Sequence, residues 1–200
     1  MEQIILKYAY PLDTQRRDAA LKMGWKYPSL GETRTQVELA KEWWSEINEN
    51  NRLLGLLEKL SGFKLPYPLE AYLIGGAMNS TSHPLIVTLY KHDGVAKSKE
   101  GFTETIIHEI THRYVGDEDF PKIKSFYSEF IKKEFEGESA STQNHIMVYV
   151  FLKKILEEFF GKENVYKYIN LENSPDYKKA WDIAAEREEE LFNKFRELTN

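Results

Sequence analysis

Residues 101–117 read GFTETIIHEITHRYVGD and contain two histidines, His108 and His112, four positions apart. On an α-helix, residues four apart lie one turn above each other on the same face. Two imidazole nitrogens placed in this way can both reach one ion at about 2.0–2.1 Å, the usual Zn–N distance. Glu109 is offset by about 100° around the helix, so it can approach a water molecule beside the ion instead of the ion itself. The stretch therefore predicts a metal-binding helix that carries its own general base.

The pattern from His108 to His112 is the H-E-x-x-H signature, in which each fixed position has a mechanical role. The alternative is two partly exposed helix histidines without a ligand. The flanking sequence favours the metal site, because Ile106, Ile107 and Ile110 give the helix an apolar face and strand-like segments come before it.

The rest of the chain is predicted to contain a small sheet and then helices. Short apolar runs bounded by Pro, Gly and Asn predict strands in QIILKYAY (3–10), YPLEAYLIGG (67–76) and HPLIVTLYKHDG (83–94). Helical spacing of apolar residues predicts helices near residues 14–23, within 35–60 with a break at NENN (48–51), and across most of the chain after Gly116. Ser139 or Ser141 should begin a long helix that ends at Gly161, and Ser174-Pro175 should open a last one with an exposed EREEE run. This order predicts an α+β fold.

On the H-E-x-x-H helix and the order of these elements, the chain resembles the zincin superfamily of zinc metallopeptidases. The resemblance implies a zincin-like domain in which a small sheet is followed by the active-site helix and a mostly helical C-terminal half closes the cleft. It implies Zn²⁺ as the cofactor and a strand at the sheet edge that pairs with extended substrate; residues 84–90 (PLIVTLY) are the candidate strand. The chain departs from the metzincins, which extend the motif to H-E-x-x-H-x-x-G-x-x-H, because Val115 and Glu118 occupy the glycine and last histidine positions.

A catalytic zinc site usually has three protein ligands and an open position for water. Other zincins take the third ligand from a later helix. His145 begins the apolar segment 144–156 and shares a helix face with Val148 and Leu152, so we expect it to complete the site. The alternatives are carboxylates: Asp117 and Glu118 close to the motif, Glu138 in the turn before the later helix, and Glu157 further along it.

Three other side chains could face the same cleft. Tyr149, one turn after His145, could stabilise a developing oxyanion through its hydroxyl, although an ordinary core aromatic is the simpler interpretation. His83 and His92 lie at the two ends of the candidate edge strand, where loop histidines are common, and we assign them no role.

Composition excludes several classes of protein. The net charge is −5, so nothing suggests the basic surface with which a protein binds nucleic acid. No window approaches the 18 or more apolar residues of a membrane span, and the N-terminus lacks the features of a signal peptide, so we expect a cytoplasmic protein. The absence of cysteine excludes disulfides and thiolate ligands. We expect one domain over residues 1–200, with a possible cleft between 1–116 and 117–200.

Glu109-Ile-Thr-His112 also matches the E-x-x-H motif of di-iron helical bundles. Those sites need a second such motif, and no other histidine here has Glu three positions before it. The sequence therefore predicts a zinc-dependent hydrolase, most simply a small peptidase, with His108, His112 and His145 as ligands and Glu109 as general base. The alternatives are a zinc-dependent hydrolase of a non-peptide substrate and a non-catalytic binding protein that contains a metal.

Overall fold

The computed structural model describes residues 4–65, 68–76, 79–116, 120–169 and 174–199. The chain divides into two compact units, residues 1–53 with 66–109 and residues 54–65 with 110–200. The fold is a mixture of helices and one small mixed sheet, which confirms the α+β prediction. The expectation of a single domain stays a prediction. No described helix combines the length and the apolar character that crossing a membrane requires.

The first unit contains the sheet. Its strands among the described residues are β1 (Ile4–Tyr8), β2 (Leu69–Ile74), β3 (Thr81–Ser82) and β4 (Leu85–Thr88). The order across the sheet is β1-β2-β4-β3, with β2 parallel to both β1 and β4, and β3 antiparallel to β4. All four residues of β4 are buried, as expected of an inner strand with parallel pairing.

The prediction that residues 84–90 form the edge strand is wrong. β3 pairs with the outer side of β4 through Thr81↔Ile86 and Ser82↔Leu85. Beyond that pairing, the Thr88 N–H donates to Ser80 Oγ at 3.0 Å. Because β3 is only two residues long and its sequence is polar, no alternation of apolar and polar residues could reveal it.

Three helices lie between β1 and β2 in the chain: α1 (Tyr10–Lys22), α2 (Leu30–Ile47) and α3 (Arg52–Ser61). The predicted break near residues 48–51 is present, because Asn50 and Asn51 adopt positive φ angles of 54° and 57°. α1 begins four residues earlier than Thr14, since Pro11 lies in its first turn, where a missing N–H is tolerated.

Helix α4 (Lys99–Val115) carries the motif, and the boundary between the two units falls inside it, after Glu109. It is buried on nearly every side: Phe102, Ile106, Ile107, Ile110, Tyr114 and Val115 have no exposed surface. A helix that is buried all round has no single apolar face. The three isoleucines singled out from the sequence are therefore part of a wider buried surface.

The second unit is helical among its described residues. Its helices after α4 are α5 (Pro121–Phe126), α6 (Lys132–Glu134), α7 (Ala140–Phe160), α8 (Val165–Tyr168), α9 (Pro175–Glu186) and α10 (Glu188–Thr199), with a π-helical turn at Tyr127–Ile131. The predicted ends of the long helix are confirmed. Ser139 Oγ accepts from the Thr142 N–H at 3.0 Å at the start of α7, and Gly161 ends it with a φ of 82°.

The single last helix predicted after Ser174 is wrong, because Arg187 leaves the helical conformation and separates α9 from α10. The EREEE run is also not uniformly exposed. The Glu188 side chain is 14% exposed and forms salt bridges with Lys153 and Lys154 of α7. Charge composition could not show that one glutamate of the run packs against a neighbouring helix.

Candidate metal centre

The candidate centre is formed by side chains of α4 and α7. His108 and His112 lie one turn apart on α4, as their spacing predicts. His108 is buried, with 7% of its surface exposed, and His112 is half-buried.

His145 lies in the second turn of α7 and reaches the same place. Its ring centroid is 4.9 Å from that of His112, and the two rings are perpendicular. One nitrogen of each of His108, His112 and His145 can be chosen so that all three atoms lie within 4.8 Å of one another. Three ligands of one zinc ion at about 2.0–2.1 Å would lie somewhat closer together, so binding an ion would draw the rings inward by small side-chain movements. The structure thus brings together the three histidines expected from the sequence.

The second nitrogen of His145 has a hydrogen-bond partner. Nδ1 lies 2.7 Å from the Ser141 carbonyl oxygen, one turn earlier on α7. A carbonyl oxygen only accepts, so Nδ1 carries the proton and Nε2 keeps the lone pair that a metal needs. Burial lowers the pKa of His145, against the opposing effects of this hydrogen bond and of Asp176, so the neutral ring is favoured. Histidines that bind metals are usually oriented by such a contact.

Gly116 lies close to His112. A Cβ added to Gly116 would lie 3.2 Å from the His112 carbonyl oxygen and 3.6 Å from its Nδ1. The tight approach is to the backbone carbonyl, whereas the distance to the ring is an ordinary van der Waals contact, so a side chain at residue 116 would press on the backbone where α4 ends.

Two acidic groups and one basic group near the histidines are partly buried and influence one another. Burial raises the pKa of Glu109 to about 8, an effect that Glu104 increases and Lys97 decreases. Burial also raises the pKa of Glu104 and lowers that of Lys97, while each of the two partly offsets the shift of the other. Such shifts are frequent where ionisable groups serve a function, although buried ion networks also produce them.

Of the remaining residues weighed as ligands, two are paired with lysines and two lie outside the described residues. Glu138 forms a salt bridge with Lys179, and Glu157 forms one with Lys153. Asp117 and Glu118 lie outside the described residues. The loop histidines His83 and His92 contact Ser82 and Asn79, respectively.

Tyr149 is near His145 but is enclosed. The centroids of the two rings are 6.2 Å apart, and only 1% of the Tyr149 surface is exposed. The tyrosine closer to His145 is Tyr177 of α9, whose ring centroid is 4.3 Å away and which is only partly buried. The oxyanion role of Tyr149 stays a prediction, and its burial favours the interpretation of a core aromatic.

Sequence reasoning missed three residues beside the centre: Lys97, Glu104 and Tyr177. Glu104 had a usable signal, because it lies four positions before His108 and so shares its helix face. Lys97 and Tyr177 come from a loop and from a distant helix, respectively, and no spacing connects them to the motif. Comparisons of the chain with protein-family models, with curated proteins and with solved structures found no match.

Proposed function

We propose that this chain is a zinc-dependent hydrolase of the zincin type, with a small peptidase as the first candidate. The observation that carries the proposal is the cluster of three imidazole nitrogens within 4.8 Å. Two of them belong to α4, where Glu109 follows the first histidine. The donor set fits the proposed ion. Three neutral imidazoles with a fourth position left open are typical of catalytic zinc, and thiolate ligands are excluded by the lack of cysteine.

A bound zinc ion would act as a Lewis acid and make a water molecule acidic near neutral pH. The residues of the chain do the rest. His108, His112 and His145 hold the ion through one nitrogen each, and the Ser141 carbonyl fixes the proton of His145 on Nδ1. Glu109 takes the proton of the attacking water on a carboxylate oxygen and later returns it to the leaving group. Burial raises the pKa of Glu109, so the carboxylate that accepts this proton depends on a nearby cation, either Lys97 or the bound ion.

One observation favours the second candidate, a hydrolase of a non-peptide substrate. A zincin-like peptidase would bind extended substrate along the strand beside the active-site helix. Here β3 pairs with the outer side of β4, and Ser80 Oγ accepts a hydrogen bond from the Thr88 N–H. A peptide would have to bind another edge or displace β3, whereas a small amide or ester would need neither.

The proposal predicts about one zinc ion per chain, held by three imidazoles. His108→Ala, His112→Ala and His145→Ala should each lose most of the zinc after dialysis, because two remaining imidazoles hold the ion weakly. Metal content is measured by mass spectrometry of the purified protein. Hydrolysis is measured on a panel of quenched fluorescent peptides and of small amides and esters, with and without a chelator.

His92→Ala is the matched control, because it removes an exposed loop histidine that is hydrogen-bonded to Asn79. It should keep the zinc content of the unmodified protein. A protein that purifies without metal and takes up none would refute the proposal, as would histidine variants of α4 that keep a full complement of zinc. Activity confined to peptides or to small esters would decide between the two candidates.

A further inference from the structure

Glu104 lies one helical turn before His108 on α4. Its Oε1 is 3.8 Å from His108 Nδ1, and the two side chains are 17% and 9% exposed. A distance of 3.8 Å is longer than a hydrogen bond, which needs about 2.7–3.2 Å. Residues four apart on a helix are neighbours on its surface, so the two side chains are within reach of each other.

The groups beside the carboxylate are fixed. Thr105 Oγ1 lies 3.5 Å from Glu104 Oε2 and accepts from Lys97 Nζ at 2.9 Å, while Lys97 also donates to Thr88 Oγ1 at 3.1 Å. The backbone of Lys97 is fixed as well: its N–H donates to the Leu89 carbonyl at 2.9 Å. The cationic end of Lys97 is thus held on the side of α4 that carries Glu104.

We propose that Glu104 is a positioning residue for His108, accepting a hydrogen bond from the Nδ1 proton so that Nε2 is presented to the metal ion. This inference rests on the proposed function, since it assigns a task at the same site. The assignment makes His108 equivalent to His145, whose Nδ1 proton is directed to the Ser141 carbonyl. To bind a metal ion through Nε2, neutral His108 has to carry its proton on Nδ1. A carboxylate beside Nδ1 favours this tautomer more strongly than a neutral acceptor does.

A purely structural role for Glu104 is the competing explanation. In that case the carboxylate would only balance the buried charge of Lys97, and its removal would change stability without changing the coordination of the metal. Carboxylates that orient a ligating histidine typically contribute 10–100-fold to metal affinity. The two explanations therefore differ in a quantity other than catalytic rate.

The test uses Glu104→Met, which removes the acceptor, and Glu104→Gln, which keeps an amide oxygen but no charge. Glu100→Gln is the matched control, since Glu100 is an exposed residue one turn earlier on the same helix. Zinc affinity is measured by competition with a chromophoric chelator, and cobalt is substituted to record its visible absorption bands. We expect Glu104→Met to weaken zinc binding about 10–100-fold, Glu104→Gln to weaken it less, and both to shift the cobalt bands.

Zinc affinities of both Glu104 variants within twofold of the Glu100→Gln control would overturn the inference and leave the proposed metal site standing. Weaker affinity with unchanged cobalt bands would overturn it too, because the effect would then come from folding. If the unmodified protein binds neither zinc nor cobalt, the proposed function and this inference both fail. His108→Ala, measured alongside, separates these cases because it tests the site without involving Glu104.

Discussion

Glu109 shows how a single residue depends on its surroundings in this protein. It is partly buried, its pKa is raised by desolvation, and its two electrostatic neighbours act in opposite directions. Glu104 disfavours the carboxylate form and Lys97 favours it. A nearby cation, whether the ammonium of Lys97 or a bound metal ion, lowers the pKa of Glu109 and so favours the carboxylate form that can accept a proton.

We predict that Glu109→Gln keeps its zinc but loses hydrolysis. The amide is nearly the same size as the carboxylate but cannot take a proton from water, and general bases typically contribute about 10²–10⁴-fold to the rate. Metal content should stay near one ion per chain, as in the unmodified protein. The measurements are metal analysis and the initial rate on whichever substrate the panel identifies.

Each outcome for Glu109→Gln has a distinct meaning. Loss of zinc as complete as in His108→Ala would make Glu109 a ligand and contradict its role as base. An unchanged rate on a confirmed substrate would contradict the mechanism while leaving the metal site intact. The His108 variant supplies the comparison for metal loss.

Among the residues of the site, those of the H-E-x-x-H motif could be predicted from the sequence. His108, Glu109 and His112 follow from spacing alone, because a helix fixes how residues four apart are placed. His145 needed a further step, from a histidine on an apolar helix face to a ligand. Lys97 was beyond sequence reasoning, since its position depends on how a loop packs against α4.

At the scale of elements, α7 connects the centre to the rest of the second unit. Ser139 caps it, accepting from the Thr142 N–H and donating to Asp176 Oδ1 at 2.8 Å. The side chain thus ties the start of α7 to α9. His145 lies six residues beyond this cap, so the first turns of α7 have to be intact for the ring to be placed.

We predict that Ser139→Ala lowers the free energy of unfolding by about 0.5–2 kcal/mol, the usual cost of losing an N-cap. The contact with Asp176 is lost as well, which places the expected value toward the upper end. Urea denaturation followed by circular dichroism measures the change. Ser45→Ala, an exposed position inside α2, is the control and should change stability by less than about 0.5 kcal/mol. Equal stability of the two variants would contradict the importance of this cap.

The ends of elements were predictable wherever a cap or a special backbone conformation marks them. Ser139, Gly161 and the asparagines before α3 are such signals, and the structure has helix boundaries at all of them. The break at Arg187 and the pairing of β3 have no such signal, because both are decided by contacts with other elements. Capping residues and positive φ angles show from the sequence where a helix can end. Other helix ends depend on packing against neighbouring elements.

At the scale of the whole molecule, each unit has a hydrophobic core that needs no metal. In the first unit, Leu73, Ile74 and Val87 of the sheet have no exposed surface, and in the second Phe151 and Leu156 of α7 are equally buried. A zinc finger depends on its ion for folding, whereas a chain of this size buries enough apolar surface without one. The length and composition of the chain already predicted a hydrophobic core, and the order of its predicted elements indicated the α+β class. The zincin-like arrangement stays a proposal.

The last prediction follows from that separation between core and metal. Zinc should raise the melting temperature of a protein that is already folded, because an ion that binds only the native state stabilises it by about 2.7 kcal/mol at 100 times its dissociation constant. For a chain of this length, that free energy corresponds to an increase of about 5–11 °C. His145→Ala should melt near the metal-free temperature and show little further rise with zinc, while His92→Ala should respond as the unmodified protein does. Scanning calorimetry with and without zinc gives both values. An apo protein with no cooperative transition would contradict the independence of the core, and a full zinc response in His145→Ala would show that α7 does not supply the third ligand.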